Sequence, residues 1–126
     1  MSSNTIEILL VEDNAGDARL TLEAFKEGRV LNHLTVMQGG VQALAYLQDH
    51  PVDLIISDYR MPEMTGHELA LEIRRLRPET RVVIFSSSDI PDETRNLVDA
   101  VIPKTDAIRE LLPTVTRLCS ERPLEH

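Results

Sequence analysis

The chain holds a single cysteine, Cys119, which excludes an internal disulfide and fits a reducing cytoplasm. Lying near a polar C-terminus, it reads as an incidental thiol and not as a nucleophile. No apolar run approaches the ~20 residues needed to span a bilayer, so no membrane partner is expected. The opening Met1-Ser2-Ser3-Asn4-Thr5 lacks the basic and apolar regions of a signal peptide, and a cytoplasmic protein is expected. Basic residues are in deficit: 13 Lys and Arg against 21 Asp and Glu give a net charge of −8. That balance opposes nucleic-acid binding, which needs clustered cations against phosphates. Arg74, Arg75 and Arg77 do gather, but beside Glu68, Glu72 and Glu79, which reads as a solvated helix face. Internal repeats and low-complexity linkers are also missing.

What is present is 126 residues, 42% of them hydrophobic, enough for one globular domain with a real core. The domain is expected over residues 1–120, with a tail at 121–126. The closing Leu124-Glu125-His126 reads as the start of a vector-encoded histidine tag and is left out of fold reasoning, so the natural chain is open to being longer.

Strand-like and helix-like runs alternate about every 25 residues, the pattern of βα units around a parallel sheet. Strands are expected at 6–11, 34–37, 54–57, 82–85 and, weakly, 101–102. After Asn14, Ala18, Leu22 and Phe25 fall at i, i+4, i+7 of a helix ended by Gly28. Residues 41–48 form a second helix with Leu44 and Leu47 inward. A third carries Leu69, Ile73 and Leu76 on one stripe and stops at Pro78. Residues 92–98 have room for two turns. The last helix is expected over 106–118, capped by Thr105 or Asp106, with Pro113 either kinking it or resetting its start.

Four of these runs, the weak fifth strand among them, end in a residue suited to phosphoryl chemistry: Glu12-Asp13, Asp58, Ser86 and Lys104. In a parallel sheet these ends lie side by side, where open α/β sheets bind ligands. Each has a bland reading as well. Asp58 alone is an ordinary turn residue; Glu12-Asp13 suits a helix N-terminus; Lys104 is a surface lysine; Ser86 starts a loop. Together they form a set. Carboxylates ~4 Å apart repel by about 4 kcal/mol at an effective dielectric near 20, relieved by a raised pKa or a bound divalent cation. Mg²⁺ takes a few carboxylate oxygens, a carbonyl, water and phosphate. Asp58 would serve as a carboxylate nucleophile, and cations plus a hydroxyl would neutralise and orient the transferred group.

The segments Ile8-Leu9-Leu10-Val11-Glu12-Asp13-Asn14 and Asp58-Tyr59-Arg60-Met61-Pro62-Glu63-Met64-Thr65-Gly66, with Ser86 and Lys104, resemble a CheY-like response-regulator receiver domain of two-component signalling. The likeness covers residues 5–120. Across 17–47 the chain also resembles the small single-domain regulators paired with bacterial phytochromes. The resemblance implies a flavodoxin-like (βα)₅ fold, a doubly wound parallel sheet of strand order 2-1-3-4-5. It implies Asp58 as phosphoacceptor, Glu12, Asp13, Asp58 and the Arg60 main-chain carbonyl around Mg²⁺, Ser86 as switch hydroxyl and Lys104 as the pairing lysine. It implies a signalling switch and not an enzyme in the ordinary sense, although such a domain assists its own phosphorylation. Phosphate would come from a sensor histidine kinase or phosphotransfer protein and act on a downstream protein or a fused output domain.

The chain departs from that family pattern in three places. Thr105 follows Lys104 where the family has proline and a cis peptide. Val101 replaces the aromatic switch residue, and only 17 residues separate Ser86 from Lys104, so the fourth helix is expected to be short and the signalling surface non-standard. The positions two past Asp58 and Ser86, which tune acyl-phosphate lifetime in the family, are Arg60 and Ser88. These departures motivate an alternative, a phosphorylation-independent interaction module. A haloacid-dehalogenase-like hydrolase fits less well, because the aspartate expected two residues past the nucleophile is Arg60. His33, His50 and His67 lack ligand spacing and read as surface residues.

Overall fold

The computed structural model describes residues 6–27, 32–106 and 110–120. Five strands, β1 (Ile6–Val11), β2 (Asn32–Met37), β3 (Leu54–Ser57), β4 (Arg81–Ser86) and β5 (Ala100–Pro103), form one sheet. All neighbours pair in parallel, in the order β2-β1-β3-β4-β5. The crossovers carry α1 (Ala15–Glu27), α2 (Gly40–Asp49), α3 (Gly66–Leu76) and α4 (Asp92–Arg95), with α5 (Leu112–Ser120) closing the fold. This is the flavodoxin-like arrangement.

Strand side chains alternate between faces, so a sheet covered on both sides builds two cores from one set of strands. Ile8, Leu10, Leu54, Ile56, Val83 and Phe85 point to the side of α1 and α5, where they meet Ala18, Phe25, Leu111, Val115 and Leu118. Leu9, Val11, Ile55 and Val82 point the other way, onto Ala43 and Leu47 of α2 and Leu69, Ala70 and Ile73 of α3. β1 from Ile8 onward and all of β3 are buried. Completely burying side chains of this size contributes about 1.5–3 kcal/mol each. These two central strands therefore fix the frame on which the site is mounted.

Register sets the site's geometry. Val11 pairs with Ser57, Ser57 with Ile84 and Ser86 with Pro103. Glu12, Asp58 and Lys104, each one residue beyond its strand, therefore emerge along one edge. The ladder runs one step further than the strands, since Glu12 N–H donates to the Met37 carbonyl at 2.9 Å and Asp58 N–H to the Val11 carbonyl at 3.2 Å.

Several elements differ from expectation. β2 begins two residues earlier, at Asn32, and α1's stop at Gly28 lies outside the described residues. α4 makes one turn, ending at Arg95 instead of 98. Beyond it the winding continues as turn, with Leu97 and Val98 N–H both donating to the Thr94 carbonyl at 3.0 and 3.2 Å, and Arg74 Nε donates to the Leu97 carbonyl at 3.1 Å. A short 3₁₀ turn spans Lys104–Asp106, and α5 starts at Leu112. Glu110 and Leu111 are already wound as a π turn, so Pro113, which has no N–H to donate, stands where the winding passes from π to α.

The arginine cluster is not a solvated face. Arg74 also donates to the Thr80 carbonyl at 3.1 Å and to Asp99 Oδ2 at 3.0 Å. Arg77 Nε and Nη2 reach the Leu47 carbonyl at 3.2 and 3.0 Å, and only Arg75 lies out in solvent, paired with Glu72. Arg77 thus uses its forked donors on a carbonyl in the last turn of α2, and Arg74 on carbonyls of the segments leading into β4 and β5. His33 and His50 are exposed as expected, but His67 is half-buried and shares a 2.8 Å hydrogen bond with buried Thr94. No helix among the described residues is long and apolar enough to cross a membrane.

Candidate functional site

The acidic pair follows β1 directly. Glu12 is buried, only 3% exposed, whereas Asp13 faces solvent. Glu12 Oε2 accepts from Asn14 N–H at 3.2 Å, and Asn14 in turn caps α1, its Oδ1 accepting from Asp17 N–H at 2.9 Å. A side-chain acceptor for one of the first helical N–H groups is what an N-cap asparagine supplies.

Asp58 stands at the end of β3. Its Oδ1 accepts from Tyr59 N–H at 2.8 Å, which orients the carboxyl. The following loop is pinned back by Gly66, whose N–H donates to the Tyr59 carbonyl at 2.7 Å. A Cβ at Gly66 would stand 2.7 Å from the Asp58 carbonyl oxygen, so only glycine permits this approach. Thr65 then starts α3 in a capping box with Glu68: Glu68 N–H donates to Thr65 Oγ1 at 3.1 Å and Thr65 N–H to Glu68 Oε1 at 2.9 Å. Between these anchors Glu63 takes a left-handed backbone, φ 74°.

One carboxylate oxygen each from Glu12, Asp13 and Asp58 lies within 4.8 Å of the others. Lys104 closes the group: its Nζ is 2.9 Å from Glu12 Oε1, 3.3 Å from Asp58 Oδ2 and 2.6 Å from Asp17 Oδ2. Burial pushes the Glu12 carboxyl above its ordinary range; the Lys104 and Asn14 hydrogen bonds pull against that rise, while the Asp58 charge adds to it. For Lys104, burial disfavours the ammonium, but the surrounding Asp17, Glu12 and Asp58 outweigh it and raise the pKa. Three convergent oxygen donors, with water access through exposed Asp13, suit a hard divalent cation such as Mg²⁺.

The structure thus brings Glu12, Asp13, Asp58 and Lys104 into one cluster, and the Arg60 carbonyl lies two residues past Asp58. Ser86 ends the neighbouring strand, buried; its hydroxyl accepts from Ser88 N–H at 3.2 Å and, among the described residues, bonds neither Asp58 nor Lys104. Ser88 Oγ accepts from Arg60 Nε at 3.0 Å, which links the two loops flanking Asp58. The Lys104–Thr105 bond is trans, there being no cis peptide among the described residues. Asp17 is the contact that sequence reasoning missed. Its one signal was its place four residues after Asp13, and a first-turn acid on a helix has an ordinary dipole explanation.

Comparison with known proteins places this geometry. The profile described as "Response regulator receiver domain" matches residues 8–112. The rice two-component response regulator ORR8 is 36% identical over 95 residues, 73% of this chain and 77% of that protein. Response regulator TrrA of Thermotoga maritima, solved in complex with Mg²⁺-BeF, superposes with a TM-score of 0.83 at 25% identity, covering 90% of this chain and 99% of that one. The Mn²⁺-bound form of response regulator Rcp1 does so at 0.71 and 26%, covering 91% and 90%. With five parallel strands in the order 2-1-3-4-5, an acidic cluster at their C-terminal edge and a profile match over most of its length, this chain belongs to the response regulator receiver domain family.

Proposed function

We propose that this chain is a phosphoacceptor receiver: Asp58 takes a phosphoryl group from a phosphohistidine on a sensor kinase or phosphotransfer protein. The observation that carries the reading is the convergence of Glu12, Asp13 and Asp58 with Lys104 at one sheet edge. Mg²⁺ bound by Glu12, Asp13, Asp58 and the Arg60 carbonyl would supply charge neutralisation to the transferring group. Asp58 presents Oδ2 as nucleophile while the Tyr59 N–H holds Oδ1. Lys104 offers its ammonium to the incoming oxygens, and the Ser86 hydroxyl stands ready at the adjacent strand end. The domain acts as a switch; it promotes its own modification without turning over a separate substrate.

The added charge then biases a binding surface. Driving a two-state element from 1:99 to 99:1 takes about 5.5 kcal/mol of differential stabilisation. A dianion meeting a metal, Lys104 and a hydroxyl has interactions of that order available to it. The readout is a protein target or an attached output domain, in the cytoplasm.

The test is incubation with Mg²⁺ and acetyl phosphate, read by intact mass. One added phosphoryl group, absent from Asp58→Asn, is expected; an adduct that persists in that variant overturns the assignment. The one-turn α4 and Val101 favour a second reading, an interaction module that never carries phosphate. Amide NMR signals near Asp13 and Asp58 that stay still on Mg²⁺ titration would select it.

A further inference from the structure

We infer that Asp17 is a positioning residue for Lys104, holding its ammonium beside Asp58 in place of the rigid proline turn that this chain lacks. The inference rests on the phosphoacceptor reading given above. A lysine ammonium has three donors, and here the three face Asp17 Oδ2 at 2.6 Å, Glu12 Oε1 at 2.9 Å and Asp58 Oδ2 at 3.3 Å. The shortest contact belongs to the residue outside the acidic cluster. Glu12 and Asp58 are both members of the cation-binding group. When that group turns to a metal and a phosphoryl oxygen, Asp17 is the partner left wholly to Lys104.

Asp17 is itself built to stay in place. It sits in the first turn of α1 with its N–H on the Asn14 cap at 2.9 Å, and its carbonyl accepts from buried Thr21 Oγ1 at 3.0 Å. Lys104, by contrast, is followed by Thr105 in a trans linkage and a 3₁₀ turn. A lysine stem carries ~2 kcal/mol of rotamer entropy that something must restrain. Packing restrains it only in part: the side chain is 14% exposed, yet a cavity of about 50 Å³ lined by Asp17, Leu20, Thr21, Phe85 and Lys104 borders it and leaves room to shift. The long Asp58 contact is the one exchanged for a phosphoryl oxygen; the Asp17 contact persists through the exchange.

The chain has two lysines, Lys26 and Lys104, so exposed Lys26 serves as an internal reference. Reductive methylation without metal, read by peptide mass, is expected to modify Lys104 several-fold faster relative to Lys26 in Asp17→Asn, with Asp17→Glu restoring protection. An unchanged ratio overturns the inference. In a double-mutant cycle with acetyl phosphate, Asp17→Asn should slow Asp58 phosphorylation about tenfold, well below the ~100-fold cost of misplacing a reacting group by 1 Å. In a Lys104→Ala background the same change should have almost no effect. Equal slowing in both backgrounds overturns the inference. If no form of the protein gains a phosphoryl group, the phosphoacceptor reading fails by itself, and the methylation ratio still decides the role of Asp17.

Discussion

Arg74 and Asp99 join α3 to the entrance of β5: the guanidinium donates to Asp99 Oδ2 at 3.0 Å, and the same oxygen accepts from Val82 N–H at 2.8 Å. Both side chains are largely buried, so removing Arg74 leaves Asp99, among the described residues, with only the longer 3.5 Å contact to Arg81 as its cationic partner. Arg74→Met should destabilise the domain by about 2 kcal/mol. Urea unfolding measures this, and a loss under about 0.5 kcal/mol, the range of an ordinary surface change, would contradict it.

The clustered carboxylates make opposite predictions with and without metal. In chelator, Asp13→Asn removes one repelling charge and should raise the melting temperature. With Mg²⁺ at ten times its dissociation constant, the wild-type domain should gain about 1.4 kcal/mol by mass action. Asp13→Asn should lose most of that gain. Thermal melts in the two buffers decide the matter; equal Mg²⁺ stabilisation of both proteins would remove Asp13 from the ligand set.

Glu12 gives a pH signature. Its folded carboxyl binds a proton more tightly than the unfolded form, whose ordinary value is 4.5. Above that pH the native state holds more protons than the unfolded chain, so stability falls as pH rises through the window. Glu12→Gln does not titrate. The stability of wild type relative to this variant should therefore decline between pH 4.5 and neutrality in metal-free buffer. Lys104 acts only at alkaline pH: its stabilising contribution is complete below 10.5 and is lost as pH rises from there through its raised folded value. A wild-type advantage that grew from acid to neutral pH would show that the ion pair with Lys104 dominates burial.

The loop after Asp58 contains two positions with opposite demands. Glu63 has φ 74°, a conformation that costs non-glycine residues roughly 1–2 kcal/mol. Glu63→Gly should stabilise by up to about 1 kcal/mol after the added unfolded-state entropy is counted. Gly66→Ala should do the reverse by about 2 kcal/mol, because its Cβ would drive into the Asp58 carbonyl. It should also slow phosphorylation, whereas Glu63→Gly should leave the rate near wild type. Paired denaturation and phosphorylation assays test both.

The central frame was legible because its signals are local. Leu54–Ser57 is a continuous apolar run in a doubly covered sheet, and the strand found has the same bounds as the strand expected. The residues at the strand ends followed from the same pattern, since parallel register brings them to one edge. What escaped depended on partners distant in sequence. Arg74 and Arg77 look like a solvent face until the carbonyls of Leu47, Thr80 and Leu97 are seen against them. His67 meets Thr94 across 27 residues, and Asp17 meets Lys104 across 87. That the fourth helix is short was legible from the close spacing of Ser86 and Lys104; its end at Arg95 was not, since Asn96, Leu97 and Val98 still bond back to Asp92 and Thr94 as a turn. For Pro113 the sequence allowed a kink or a new start, and neither names the change from π to α winding found there.

The single turn of α4 has a consequence for how the domain moves. Beyond Arg95 the chain between β4 and β5 is held by the Arg74 guanidinium, by Asp99 and by Leu97 and Val98 resting on the core. Opening this crossover as far as Val98 breaks these ties and the short-range backbone bonds to Asp92 and Thr94, and leaves the pairing of β4 with β5 intact. Amide protons there should exchange with deuterium well before those of β1 and β3, through sub-global opening that the sheet does not feel. A surface tethered in this way can change shape over a stationary scaffold.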